Sequence, residues 1–335
     1  MRTALWLIAA LFPASLCGAT VTGITNAADF STAIAPGSLA TVFGRDFASA
    51  ASAPGALPLG PSFNGVAVSV NGRPAPITFL GPTQVNIQIP RATPPGAATV
   101  TVTVNGQAST PFSFTVTASA PGIFQYGENR GVIQNQDYSL NAPANPAAGG
   151  SAVIVYLTGI GATTPPVADG AASPASPLSI PGGGTPVARI GGLATKVLFL
   201  GLTPGNVGLA QANIEVPRIA SGEYPVTITV NGVTSRPATI SVQEAPPVDG
   251  TEGLPSGAKC ISGPVTGLTR SLQNQASRLA DEITIGSRRL CATCEDKAPV
   301  YGDFVDKLEI ARLEDLTADV CYDGLGTLHY VRLRP

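Results

Sequence analysis

The 335-residue sequence is poor in the side chains that most enzymes and metal sites depend on: one His, one Trp, one Met and five Cys. A single histidine, His329, closes most nucleophile–base schemes and every His-rich metal site. Charge is sparse at 12%, and a net charge of −2 removes the basic footprint of a nucleic-acid binder or a polybasic membrane-surface protein. No stretch reaches 18 consecutive apolar residues, so no membrane-spanning helix is expected. The low net charge occurs with 44% hydrophobic residues and a mean hydropathy of +0.25, which also excludes a disordered chain.

Glycine and proline are abundant instead, at 38 and 31 residues. The first 19 residues carry Arg2, an apolar run from Ala4 to Phe12, and then Cys17-Gly18-Ala19. That order predicts an export signal over residues 1–19, cut after Ala19. A lipidated Cys17 is the alternative, weakened because Leu16 stands where lipidation signals want a small residue. Export predicts a mature chain with four cysteines and no tryptophan.

Two composition regimes follow. Residues 20–243 hold 7 acidic and 8 basic residues and no cysteine, whereas residues 244–335 hold 14 acidic and 10 basic residues and the other four cysteines. The Pro-containing stretch Glu244–Gly250 between them reads as the start of a linker spanning 244–258.

The first regime repeats internally. Phe79-Leu80-Gly81 returns as Phe199-Leu200-Gly201, and Gln84-Val85-Asn86-Ile87-Gln88-Ile89-Pro90-Arg91 returns as Gln211 through Arg218. Thr101–Gly106 returns as Thr227–Gly232, and Pro36–Gly44 is echoed loosely by Gly149–Gly159. Blocks in one order predict two copies of a domain-sized module, over 20–118 and 119–243. Thr99–Val104 and Val226–Val230 alternate with period two into Asn-Gly, the pair suited to the two φ > 0 positions of a type I′ turn. Val66–Val70 before Asn71-Gly72 is a third case. Return strands are expected at Ser109–Val116 and Thr234–Val242. With no sustained 3.6-residue period, the fold class is mainly β, two tandem antiparallel sandwiches followed by a small α+β domain.

These motifs, from Pro-Gly-Ser through Phe-Leu-Gly and Gln-x-Asn-Ile-x-x-Pro to Val-Asn-Gly, resemble IPT/TIG-type immunoglobulin-like domains. More narrowly, residues of about 22–242 resemble the repeats of exported bacterial proteins grouped as the "Solibacter" uncharacterised C-terminal family. The resemblance implies an immunoglobulin-like fold and an extracellular or surface role, and it carries no catalytic residues.

In the charged segment, Leu268, Leu272, Ala276, Leu279 and Ile283 line one helical face, so a helix is expected over Pro264–Ile283. Strands are expected at Thr284–Leu290, Lys307–Leu313, Ala318–Tyr322 and Thr327–Leu333, with a turn at Asp323–Gly326. Cys260, Cys291, Cys294 and Cys321 are an even set in an exported chain, read as two disulfides of undetermined pairing that staple residues 259–335. The alternatives are a four-cysteine zinc site, which usually needs two Cys knuckles, and a redox Cys291-x-x-Cys294, which needs a βαβ context.

Other constellations are bland. Gly149-Gly150-Ser151 and Gly182-Gly183-Gly184 read as turns, and His329 as a half-exposed sheet residue. The carboxylate pairs Asp281/Glu282, Glu295/Asp296, Asp303/Asp306 and Glu314/Asp315 read as solvated surface. Sugar binding would need planar aromatics, for which Tyr126, Tyr138, Tyr156 and Tyr224 are the candidates. The expectation is a non-enzymatic surface, adhesion or scaffold protein, without cofactor or metal, whose partner is a protein or polysaccharide. The alternative is a catalytic or enzyme-inhibiting C-terminal domain with the sandwiches as accessory modules.

Overall fold

The computed structural model describes residues 18–244, 259–269, 282–285, 288–291, 317–322 and 328–334. Residues 1–17 of the expected 1–19 leader, most of the linker, the strand expected at 307–313 and the turn expected at 323–326 lie outside the described residues. The chain divides into two compact units, Met1–Gln243 and Glu244–Pro335.

The first unit contains two hydrophobic cores. In the first module β1 (Thr20–Asn26), β2 (Leu39–Arg45), β3 (Val66–Val70), β4 (Ile77–Leu80), β5 (Gln84–Gln88), β6 (Gly96–Val104) and β7 (Phe112–Val116) form two sheets. One has the order β1-β2-β5-β4; the other runs β7-β6-β3 to the short strand Ser62–Phe63. Period-two patterning assigns the faces: Val66, Val68 and Val70 from one sheet and Val42, Val85 and Ile87 from the other are buried in a single cluster. Fully burying each such side chain contributes about 1.5–3 kcal/mol, so aliphatic residues can hold a sandwich that has neither a tryptophan nor a disulfide in its core.

The second module repeats the plan with β8 (Gly122–Ile123), β9 (Ala152–Thr158), β10 (Val187–Ile190), β11 (Val197–Leu202), β12 (Ala210–Glu215), β13 (Gly222–Val230) and β14 (Ala238–Gln243). One sheet runs β8-β9-β12-β11, and the other contains β14-β13-β10. Val153, Val155, Ala212, Ile214, Val226, Ile228 and Ile240 are among its core residues. Asn71, Asn105 and Asn231 have φ of 48°, 48° and 50°, and each is followed by a glycine at positive φ. The three Asn-Gly turns are therefore of the type that the right-handed twist of paired strands favours. Both long return strands are interrupted. Gln107–Ala108 and Val233–Thr234 pair beside the turn, and β7 and β14 take up the pairing further on.

Short backbone and side-chain bonds join the two modules. The Leu39 N–H donates to Thr158 Oγ1 (2.9 Å), and that hydroxyl donates to the Gly208 carbonyl (2.9 Å). Gly170 N–H donates to Gln88 Oε1 (2.7 Å), Leu59 N–H to the Gly170 carbonyl (2.8 Å), and Asn26 Nδ2 to the Ala120 carbonyl (3.1 Å). Gly170 has φ +74°, and a Cβ there would lie 2.5 Å from the Leu59 carbonyl oxygen. Only glycine allows this approach.

The second unit contains a sheet of β15 (Lys259–Thr269), β16 (Glu282–Ile285), β17 (Arg288–Cys291), β18 (Thr317–Tyr322) and β19 (Leu328–Arg334), in the order β17-β16-β15-β18-β19. This corrects the expectation of a helix beginning at Pro264. Residues 264–269 finish β15, where Val265, Thr266 and Thr269 suit a pleated strand better than a helix; residues 270–281 lie outside the described residues. The single strand expected over 284–290 is a hairpin of β16 and β17.

Candidate functional site

The repeated sequence blocks converge on one outward sheet face in each module. In β5, Val85 and Ile87 point into the core while Gln84 and Asn86 occupy the other face, half-buried. Gln84 Nε2 donates to Asn86 Oδ1 (3.1 Å). In β12, Ala212 and Ile214 point inward, and Gln211 Nε2 donates to Asn213 Oδ1 at the same distance of 3.1 Å. Across the strand pair, Phe43 opposes Gln84 and Tyr156 opposes Gln211. The Gln-x-Asn motif thus places one amide pair beside one aromatic ring in each copy.

Phe-Leu-Gly supplies the next part. Leu80 and Leu200 are buried, while Phe79 and Phe199 oppose Asn86 and Asn213 at a register shift. A Cβ at Gly81 would lie 3.1 Å from the Phe79 ring, and one at Gly201 would lie 2.7 Å from the Phe199 ring. The glycine lets the phenylalanine two residues earlier lie down along the sheet surface.

A third element comes from the loop that precedes β2 in the first module and β9 in the second. Asp29-Phe30-Ser31 and Asp137-Tyr138-Ser139 form the same turn: the aspartate Oδ1 accepts both the backbone N–H and the hydroxyl of the serine. These bonds hold the Asp137 carboxyl below the usual carboxylate range, the serine hydroxyl being the larger cause. The central aromatic sits at φ +53° in Phe30 and +65° in Tyr138, a conformation uncommon for bulky side chains. Both rings are largely exposed, at 62% and 71%. The Phe30 and Phe43 ring centroids are 6.3 Å apart. In the second module the Tyr156 hydroxyl donates to Gln134 Oε1 (2.7 Å), and Gln134 Nε2 donates to the Tyr138 carbonyl (3.1 Å). Burial, and then the neighbouring Tyr138, push the Tyr156 hydroxyl above the ordinary tyrosine range. Tyr156 also borders a depression of about 370 Å³ with Phe124, Val132 and Leu209.

Of the four tyrosines proposed from sequence, the structure brings Tyr138 and Tyr156 together. Tyr126 and Tyr224 use their hydroxyls on the Asn141 and Ala220 carbonyls (2.9 Å each). Phe30, Phe43, Phe79, Phe199 and the amide pairs were missed by looking for tyrosines alone. The signal was present in the repeat itself, since its polar positions fall out of phase with its core positions.

A second repeated feature is a Pro-Arg corner. A Cβ at Gly37 (φ +76°) would lie 3.0 Å from Arg91 Nη1, and one at Gly150 (φ +83°) 3.0 Å from Arg218 Nη2. Arg91 falls at the junction between modules, where its N–H donates to Asp169 Oδ1 (3.0 Å) and Nη1 to Thr163 Oγ1 (3.4 Å). Burial pulls the Arg91 guanidinium down from its ordinary pKa, and Asp169 partly offsets this.

Cys260, Cys291 and Cys321 lie on β15, β17 and β18, and Cys294 lies outside the described residues. His329 falls at a register shift in β19 rather than at a regular sheet position. Glu282 opens β16 and opposes Cys291; the other paired carboxylates lie outside the described residues. Gly149–Ser151 is the turn entering β9, closed by Ser151 N–H to the Ala148 carbonyl (3.0 Å). Among the described residues no group of His, Cys, Asp and Glu could hold a metal ion, and no helix is long and apolar enough to cross a membrane.

Comparison with known proteins matches residues 21–116 to the IPT/TIG domain family; this segment is an IPT/TIG domain of immunoglobulin-like fold. No curated protein matches the chain. Among solved structures, the plexin A4 extracellular region (domains 1 to 8) is 13% identical, with 68% of this chain and 18% of that one covered, at a TM-score of 0.24. SGBP-B of the Bacteroides ovatus mixed-linkage glucan utilization locus is 11% identical, with 70% and 54% covered, at 0.29. Domains 5–6 of the S-layer protein SbsC are 11% identical, with 68% and 100% covered, at 0.24. The chain spans less than a fifth of the plexin structure and about half of SGBP-B.

Proposed function

We propose that this is an exported, non-catalytic surface protein whose tandem sandwiches form a jointed scaffold and present two aromatic–amide faces to a neutral polysaccharide. The observation that carries this reading is the duplication of the face: Phe30, Phe43 and Phe79 with Gln84–Asn86, and Tyr138, Tyr156 and Phe199 with Gln211–Asn213. Aromatic rings lying along a sheet offer flat apolar surface to the C–H faces of sugar rings. Primary amides supply both donors and acceptors to hydroxyls. Core packing does not require these positions, because the residues that alternate with them already fill the interior. The IPT/TIG assignment of residues 21–116 supports a non-enzymatic surface role, and membership of both modules in the "Solibacter" repeat family is part of the same proposal.

The test is affinity electrophoresis of the full chain through gels containing β-glucan, xylan or galactomannan. Retardation by at least one polymer is expected, with a fall in affinity of about tenfold or more in Tyr156→Ala and a further loss in Phe43→Ala/Tyr156→Ala. Each variant should keep its cooperative unfolding. A double variant retarded as strongly as the parent, or no retardation in any gel, would overturn the sugar reading.

A further inference from the structure

We propose that the depression beside Tyr156 is a subsite for an acetyl substituent on the bound polysaccharide, an inference that rests on the sugar-binding reading above. Val155 and Leu157 of β9 are buried, so Tyr156 between them takes the outward face. Backbone bonds set two apolar residues next to it. Phe124 N–H donates to the Tyr156 carbonyl (2.9 Å), Val132 N–H to the Phe124 carbonyl (2.7 Å), and Tyr156 N–H to the Val132 carbonyl (3.1 Å). The other lining residues, Thr203, Asn206 and Leu209, belong to the connection between β11 and β12. That connection is fastened by Thr203 N–H to the Leu209 carbonyl (2.9 Å), Asn206 N–H to the Thr203 carbonyl (3.2 Å) and Ser173 N–H to the Asn206 carbonyl (2.9 Å). The walls are thus formed before a ligand arrives, which lowers the entropy lost on binding. At about 370 Å³ the depression is at the low end of the roughly 300–1,000 Å³ usual for small-ligand sites, room for one sugar edge and a small group upon it.

The lining selects the chemistry of that group. It contains no Asp, Glu, Lys, Arg or His, so a carboxylate or an ammonium would enter without a counter-charge. The side chains of Phe124, Val132 and Leu209 make no hydrogen bonds, so a sugar hydroxyl turned toward them loses its water partners and gains none, whereas a methyl group gains by burial. Thr203 is nine-tenths buried, and its hydroxyl has no hydrogen-bond partner among the described residues. An acetyl group meets both conditions: its methyl packs on the apolar side chains, and its carbonyl oxygen accepts from Thr203 Oγ1. A free hydroxyl, a uronic acid and an amine each fail one of them.

The first module lacks these walls. Phe43 holds the position of Tyr156 there, and the residue opposite it is Gly23, where even a Cβ would meet nothing within 4 Å. β1 runs past that point with only a register shift between Val21 and Gly23. In the second module the chain leaves β9 after Ile123 and pairs with it again at Ile133. That excursion supplies Phe124 and Val132. The two faces are therefore unequal: the first offers a flat platform alone, and the second adds selection for an acetylated sugar.

The experiment measures binding of the full chain to β-glucan, xylan and galactomannan, each lightly O-acetylated and again after mild alkali has removed the esters. A second arm compares chitohexaose with cellohexaose, which carry an acetamido group and a hydroxyl at the same carbon. One hydrogen bond and one buried methyl predict affinity about tenfold higher for the acetylated member of at least one pair. The arm that shows the preference names the source of the acetyl group, ester or amide. Thr203→Val should lose most of the preference, Thr203→Ser should keep it, and Leu209→Phe, which fills the depression, should abolish it. All three variants should bind the unacetylated ligands as the parent does. Binding with no acetyl preference in either arm would overturn the subsite and leave the sugar reading standing. So would a preference that survives both Thr203→Val and Leu209→Phe. No binding to any polymer or oligosaccharide would overturn the sugar reading and the subsite with it.

Discussion

Replacing Thr158 by Val tests whether the junction between the sandwiches is an integral part of the fold. Thr158 is fully buried, and its hydroxyl is the only group in a two-bond relay that links Leu39 N–H of the first module to the Gly208 carbonyl of the second. Valine keeps the shape and volume of the side chain but can neither accept from one group nor donate to the other. An unsatisfied buried donor or acceptor costs about 1–3 kcal/mol. Two orphaned groups, with some relaxation, predict a loss of about 2–4 kcal/mol. At about 2–4 °C per kcal/mol for a cooperative unit of this size, scanning calorimetry of the full chain should show Tm falling by roughly 5–15 °C. Thr158→Ser, which keeps the hydroxyl, should recover most of that loss. Amide exchange at Leu39 should accelerate in Thr158→Val and not in Thr158→Ser. A valine variant within about 0.5 kcal/mol of the parent, with Leu39 still protected, would refute the claim that the relay couples the modules.

Gly201→Ala places a Cβ 2.7 Å from both the Phe199 ring and the Ser179 carbonyl oxygen, and should cost about 1–3 kcal/mol in urea unfolding, more than Gly182→Ala, where a Cβ meets nothing within 4 Å. The raised pKa of Tyr156 favours its neutral form in the folded state, so its contribution to stability is present up to the ordinary tyrosine range near pH 10 and is lost as pH rises through its raised value. Tyr156→Phe should therefore lose stability less steeply than the parent above about pH 10, with Tyr138→Phe shifting the Tyr156 transition downward in an ultraviolet titration.

Much of the sandwich architecture was legible because its signals are local. Asn-Gly needs two positive-φ residues, and Val, Ile and Thr alternating into it leave few other folds. The positions of the interrupted return strands were less legible, because β7 and β14 pair with the far halves of β6 and β13 after a break that no single residue type announces. The duplicated aromatic–amide faces were hidden for a different reason. Phe43 and Tyr156 come from poorly matching blocks, and Phe30 and Tyr138 sit in loops of different length, so their equivalence emerges only when strand register aligns them. In the second unit, leucines spaced at helical intervals after Pro264 competed with β-branched residues. The β-branched residues prevailed over 264–269, where an adjacent strand supplies pairing that periodicity alone does not reveal.

The junction gives the duplicated faces a property that neither has alone. With Thr158, Gln88 and Gly170 bonded across it, the second module is held against the first at one rotation, and the two faces keep one fixed separation. For a polymer that presents the same unit many times, capture by one face converts capture by the other into an intramolecular event, with no linker entropy left to lose. Avidity gains of about 10²–10⁴ arise from such geometry without any new contact. Two individually weak faces on a stiff joint would thus hold long chains tightly while releasing short fragments, so chain length itself becomes the quantity that is sorted.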